Sequence, residues 1–221
     1  MNKSKQMSEN FLLGVILACV GGFLDAYTYI CRGGVFANAQ TGNIVLFGIK
    51  MAQGEFNKSL YYLIPIVAFV AGILMAEIIK KKYKNNTRFH WRQIIIAFEI
   101  IVLAGISFLP QGNLQNIFAN VMVSFVCSLQ VESFRKFNGN AMATTMCTGN
   151  LRSATECFYK YTNSRDKSQL QSSFQYFGVI LFFIFGATIG TVLTNVIGVQ
   201  TILFACLGLG VVFILMFVQK E

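Results

Sequence analysis

The polar groups in this chain that could do chemistry sit inside apolar sequence. Asp25 lies near the end of one apolar run, and Asn38, Gln40 and Thr41-Gly42-Asn43 follow in the next segment. The layout returns 107 positions later: Glu132 answers Asp25, Thr145 answers Asn38, and Thr148-Gly149-Asn150 answers Thr41-Gly42-Asn43. Between acid and tripeptide each copy carries a flexible break, Arg32-Gly33-Gly34 in one and Asn138-Gly139-Asn140 in the other. An acid, a break and a tripeptide at one common offset point to an internal duplication. Thr and Asn offer donors and acceptors to a solute, and Gly lets another backbone approach closely. The same groups can instead satisfy broken backbone and lock a hairpin. Gln40 faces Cys147 at this offset, so the two half-sites differ, as an asymmetric solute requires. The candidate binding residues are Asp25, Asn38, Gln40, Thr41, Gly42, Asn43, Gln130, Glu132, Thr145, Thr148, Gly149 and Asn150.

Acids inside membrane segments are costly and usually functional, which makes Asp25, Glu99 and Glu132 candidates for coupling a proton or cation to solute movement. The competing reading pairs the first and last with Arg32, Arg135 or Lys136. Glu77 lies close to Lys80 and Lys81 at an interface, and Glu156 has Arg152 four residues before it.

The elements that must position these residues are membrane helices. Of 221 residues, 55% are hydrophobic and 12% charged, about half the charge of a soluble domain. Several runs approach the roughly 20 apolar residues that cross a bilayer. The net charge of +9 would suggest nucleic acid in a soluble protein; here the cations sit in short loops, where they report topology, and no nucleic-acid partner is expected. The six cysteines lack zinc-ligand spacing and His90 is the lone histidine, so no metal or cofactor is expected. Neither a nucleotide loop nor a nucleophile elbow is present, and no enzyme activity is expected. The basic start and first apolar run resemble a signal peptide, but the run continues to Asp25 and is assigned as a membrane helix.

The pattern predicts a cytoplasmic tail over 1–10, a first unit over 11–109 and a second over 110–221. Helices are expected at about 11–31, 59–79 and 91–109, then 114–134, 173–195 and 199–218, with short segments at 35–52 and 141–160. If both short segments dip in and return, six spans result. Fifteen Lys and Arg then fall on the cytoplasmic side against three, Arg32, Lys50 and Lys58, outside. If both cross, the split is near even. The expected fold is therefore all-α: six transmembrane helices plus two re-entrant half-helices, built as two inverted repeats of three, with both termini cytoplasmic. Inverted repeats with broken helices are a recurring transporter plan. The expected function is a small-solute transporter or channel with a central site at the paired tripeptides. The alternative is a non-transporting accessory, assembly or sensory protein. The lipid bilayer is the expected partner, and a homo-oligomer stays open.

The stretch GGFLDAYTYICRGGVFANAQTGNIVLFG resembles the signature of the YoaK-like family of bacterial membrane proteins, a family of unknown function. The resemblance rests on Gly21-Gly22 before Asp25-Ala26, on Gly34-Val35-Phe36, and on Thr41-Gly42-Asn43, with Thr148-Gly149 as the second motif. It spans nearly the whole chain and implies an integral protein of the bacterial inner membrane with about six spans. The family often has Gln-Asn before its second motif, where this chain has Gln130 followed by Val131-Glu132.

Overall fold

Asn10 starts the first helix: its side chain accepts from the Leu12 amide at 3.0 Å, satisfying one of the donors that a helix N-terminus leaves open. The computed structural model describes residues 10–83 and 91–218; His90, Lys84 and Arg88 lie outside them. The helices are α1 (Phe11–Cys31), α2 (Gln40–Ala52), α3 (Phe56–Tyr83), α4 (Trp91–Ile106), α5 (Asn113–Ser133), α6 (Cys147–Ser164), α7 (Lys167–Ile197) and α8 (Ile202–Val218). A single 3-10 turn, Gly198–Thr201, joins the last two.

Among the described residues four helical stretches are long and apolar enough to cross a membrane: α1, α3, α5, and α7 continuing into α8. The 13 residues of α2 span about 20 Å, short of the roughly 30 Å hydrocarbon core. α6 carries Arg152, Glu156 and Lys160 on its surface. Glu156 pairs there with Lys160, one helical turn after it, at 2.7 Å, and not with Arg152 one turn before it.

Among the described residues the departure from helix is a hairpin, β1 (Lys136–Phe137) paired antiparallel with β2 (Asn140–Ala141). Asn138 and Gly139 turn it with φ of 48° and 85°, the left-handed pair that a two-residue hairpin turn requires. The buried Phe137 ring fills the space beside Gly14 on α1, its Cγ 2.9 Å from where a Cβ would stand. Tyr176 donates to the Ala141 carbonyl at 3.0 Å, which ties the hairpin to α7.

Helix packing follows small residues. α1 lies along α7 in parallel register: Gly178 meets Phe11, Gly186 meets the Cys19 backbone and Gly190 meets the Phe23 backbone. α3 lies along α5, also in parallel: Tyr61 reaches Asn120, and Gly72 meets Phe125 and Ser128 further on. Small residues let helix backbones come close enough for dispersion contacts along their length. The remaining contacts come in matching pairs: α2 on α3 as α6 on α7, and α4 on α5 as α8 on α1, with α4 against α8 between them.

Candidate functional site

The site is built around Gly21, the middle residue of α1. Without a side chain, Gly21 leaves its backbone open to two loop tips. From one, the Asn38 side-chain amide, Nδ2, donates to the Gly21 carbonyl at 3.3 Å. From the other, the Thr145 methyl stands 2.7 Å from where a Gly21 Cβ would be. These are the two residues that the 107-position offset pairs, and the structure brings them to one point.

One turn along α1, Asp25 is 4% exposed. Its Oδ1 accepts from the Asn38 amide at 2.6 Å and the Ala39 amide at 3.3 Å. A carboxylate thereby sits at the N-terminus of α2, whose own cap residue Ala39 supplies no side-chain bond. Negative charge at that end also suits the helix dipole. Asp25 Oδ2 is buried without a partner, as are the Thr144 and Thr145 hydroxyls. At α6 the cap position is Met146, again with no side-chain bond, and no acid takes the place that Asp25 holds at α2.

The tripeptides are used locally. Buried Asn43 accepts from the Phe36 amide at 3.0 Å and donates to the Phe36 carbonyl at 2.8 Å and to Gln40 Oε1 at 2.9 Å. Buried Asn150 donates to the Ala143 carbonyl at 2.6 Å. Each Asn clamps backbone seven residues before it, and Ala143 is the 107-offset counterpart of Phe36. Gln40 Nε2 returns to the Ala37 carbonyl at 2.9 Å. Thr41, Thr148 and Gly149 are exposed on the protein surface. Gly42 is packed, with the Phe36 ring 2.8 Å from its missing Cβ, whereas Gly149 has open space there.

The acids separate. Glu132 is half-buried and pairs with Arg135 at 2.9 Å, beside Glu77 and Lys80, in a basic pocket that also includes Arg92 and Lys136. It does not share the setting of Asp25, and the hairpin is the reason. Eight residues separate α1 from α2, but thirteen separate α5 from α6. The five extra displace the first helices of the two units relative to the offset read from the tripeptides. Counted from its helix end, the counterpart of Asp25 is Cys127, six residues before Ser133 as Asp25 is six before Cys31. Cys127 is fully buried, reaches the Asn38 side chain and lies within electrostatic range of both Asp25 and Glu99. Glu99 is itself fully buried on α4. Presented nitrogen-first, the Gln130 amide donates to its Oε1 and Oε2 at 3.0 and 3.1 Å.

Arg32 is the largest fully buried side chain and has no carboxylate partner in the described contacts. Its guanidinium donates to the carbonyls of Ile106 (3.2 Å), Leu109 (3.0 Å) and Pro110 (3.0 Å), and Nε donates to the Tyr27 hydroxyl at 3.1 Å. It therefore closes the C-terminal end of α4, where backbone acceptors have no helical partner. Its own carbonyl accepts from Tyr61 and Asn120, each at 2.7 Å. A charge count places Arg32 among the external loop charges; only its position at the α1 break, next to Gly33 and Gly34 (φ of 85° and 76°), hints at burial.

A family model described as a protein of unknown function, DUF1275, matches residues 13–215. The chain belongs to that family. A relative, the UPF0700 transmembrane protein YoaK of Bacillus subtilis (strain 168), is 26% identical over 154 residues, covering 67% of this chain and 66% of that protein. The match thus spans just under two thirds of the relative's length. No solved structure matches the chain. The family match, the transmembrane relative and the long apolar helices make this an α-helical membrane protein.

Proposed function

We propose that the chain is a small-solute transporter of the bacterial inner membrane. It is built as two inverted units of three crossings, with a central site where the tips before α2 and α6 meet. The direction of the helices supports the inversion. α1 and α3 run the same way only if α2 between them also crosses, and α5 and α7 only if α6 does. With α2 and α6 returning to their side of entry, α1 opposes α3 and α5 opposes α7. The parallel registers of α1 with α7 and α3 with α5 then set α5 opposite to α1. Irregular backbone at membrane depth survives only inside protein or against a polar cavity, and the segments before α2 and α6 lie against α1.

The observation that carries the reading is the convergence of Asn38 and Thr145 on Gly21, halfway along a membrane helix, with unpartnered buried oxygens on Asp25, Thr144 and Thr145 around it. Buried polar atoms without partners are rare in proteins, and a solute that supplies donors would satisfy them. Asn38 and Thr145 are 6% exposed each, which corresponds to a closed state. A non-transporting role is favoured by a different observation, the use of both tripeptide asparagines on their own loops.

The test is a thermal-shift screen of purified protein against amino acids, nucleobases, sugars and organic acids. Binding to the native state raises the melting temperature with concentration. The transporter reading expects one class to stabilise the parent and to lose that effect in Asn38→Ala and Thr145→Ala. Hits that survive both substitutions, or no hit in the panel, favour the accessory reading.

A further inference from the structure

We propose that Asp25 and Glu99 are the proton-binding positions of this protein, with Gln130 turning its amide to follow the state of Glu99 and Asp25 latching the tip of α2. Its use as a coupling device rests on the transporter reading above; the proton binding does not.

The argument begins with what surrounds each acid. Glu99 meets the Gln130 amide from α5, with the thiols of Cys127 on α5 and Cys206 on α8 in electrostatic range. Asp25 meets the amides of Asn38 and Ala39 before α2, with the thiols of Cys127 on α5 and Cys147 on α6 in electrostatic range. Among the described residues no cation acts on either acid, and Arg32 is spent on the carbonyls of α4. A buried carboxylate without a counter-charge costs far more than a neutral carboxyl. A metal cation is the other way to neutralise it, but sodium or calcium takes several oxygen ligands. Around Glu99 the described bonded partner is one amide, with two thiols in electrostatic range, so a proton fits this site and a hard metal ion does not.

The Gln130 amide gives the proton a readout. With Glu99 ionised, Gln130 Nε2 donates to both carboxylate oxygens at 3.0 and 3.1 Å. With Glu99 protonated, the carboxyl O–H donates and the Gln130 carbonyl oxygen accepts in the same place. The amide rotates about its last torsion to exchange the two, with one proton bound or released and no other atom transferred. At Asp25 the change has a different target. The ionised carboxylate accepts two amide hydrogen bonds from the tip before α2, and charge-assisted bonds are about twice as strong as neutral ones. A proton on Asp25 weakens this latch while its Oδ2, now without a partner, gains a donor to offer. Cys127 lies within electrostatic range of both acids and reaches the Asn38 side chain, which links the two proton sites through one residue of α5.

The experiment is pH-difference infrared spectroscopy on the protein in lipid nanodiscs, following the carbonyl stretch of protonated carboxylic acids. The parent should show two such bands that titrate. Glu99→Gln, which keeps an amide partner for Gln130, should remove one, and Asp25→Asn should remove the other. Gln130→Leu leaves Glu99 in place and should shift its band, which keeps the test available if Glu99→Gln fails to fold. A parent without titrating bands, or bands unchanged in all three variants, overturns the proposal. A sodium-dependent rise in melting temperature at fixed pH that Asp25→Asn abolishes overturns it in favour of a metal cation. Two titrating bands in a protein that moves no solute under any gradient leave the proton sites standing and count against the transporter reading.

Discussion

At the scale of single residues, the two Thr-Gly-Asn motifs are alike in their asparagines and unlike in their glycines. Asn43 makes three hydrogen bonds within its loop and Asn150 is seen to make one. Removing the buried asparagine strands backbone groups at about 1–3 kcal/mol. Asn43→Ala should therefore lower the melting temperature more than Asn150→Ala, in a stepwise thermal unfolding assay in detergent. Gly42 and Gly149 should respond with opposite sign. Gly42→Ala drives a methyl into the Phe36 ring, an overpacking cost of about 1–3 kcal/mol. Gly149 lies inside α6 with open space where a Cβ would stand, so Gly149→Ala should stabilise by roughly 0.5–1 kcal/mol through helix propensity. Equal losses for both glycine variants would mean that the motifs are equivalent packed breaks, as their shared sequence suggests. The sequence could place the motifs, since three residue types at one offset are visible; it could not show that a single aromatic ring, Phe36, closes over one glycine and that its counterpart Ala143 leaves the other open.

At the scale of elements, helix limits follow local chemistry and were legible to within a few residues: α1 spans the expected 11–31, and α5 at 113–133 is one residue from the expected 114–134. α7 starts six residues before the expected 173 because Asp166 caps it, accepting from the Ser168 amide at 2.9 Å. The hairpin was not foreseen, although its signal, Asn138-Gly139, was in view; a flexible break and a tight turn share those residues, and only strand pairing separates them. That miss shifted the equivalence of the first helices by five residues and paired Asp25 with Glu132 instead of Cys127. Arg32 was missed for a different reason, because a charge beside a glycine break carries no mark of burial. Arg32→Met keeps most of the apolar stem but takes the charged donors from three carbonyls: that of Ile106 keeps the Leu109 amide, whereas those of Leu109 and Pro110, part-buried, lose the side-chain donor seen on them. Two carbonyls that lose a charge-assisted bond, at about 1 kcal/mol or more each, should cost roughly 2 kcal/mol, read as a loss of folded yield and melting temperature. Arg32→Lys, with one compact donor head in place of a planar fork, should recover only part of it; full recovery would show that charge alone matters. The corner between α2 and α3 gives a milder contrast. Lys50 and Lys58 bridge Glu55 at 3.0 and 3.1 Å and hold its carboxyl below the usual range. The stabilisation is present above the ordinary glutamate value and is lost as pH falls through the lowered one, so Glu55→Gln should flatten the acid limb of a stability profile.

At the scale of the whole molecule, the contacts sort the helix ends, and with them the loop cations, between the two ends of the bundle. The C-terminal end of α1, the start of α3, the end of α4 and the start of α5 meet around Arg32, Tyr61, Pro110 and Asn116. The end of α3, the start of α4 and the end of α5 meet in the pocket of Lys80, Trp91, Arg92, Glu132, Arg135 and Lys136. The start of α1 meets the end of α6 and the start of α7 through Phe11, Tyr161 and Lys167. The hairpin leaving α5 also docks on Gly14 and Tyr176, which puts these last two groups at the same end of the bundle. That end gathers Lys80, Lys81, Lys82, Arg92, Arg135, Lys136, Arg165 and Lys167, while the other exposes Lys50 and Lys58. Cations concentrate on the cytoplasmic face of membrane proteins, so the first end should face the cytoplasm. Single cysteines at Glu55 and Arg165, in a variant with the six native cysteines replaced, separate the arrangements. Both positions are at least partly exposed at helix connections, where labelling does not require the fold to open. In intact cells a membrane-impermeant maleimide should modify position 55 and should reach position 165 only after the membrane is broken. An eight-crossing chain oriented with Lys80, Lys81 and Lys82 inside would also carry position 55 outside, but it would bring position 165 outside with it. External labelling of position 165 would therefore remove the inverted arrangement, and with it the meeting of the two loop tips from opposite faces.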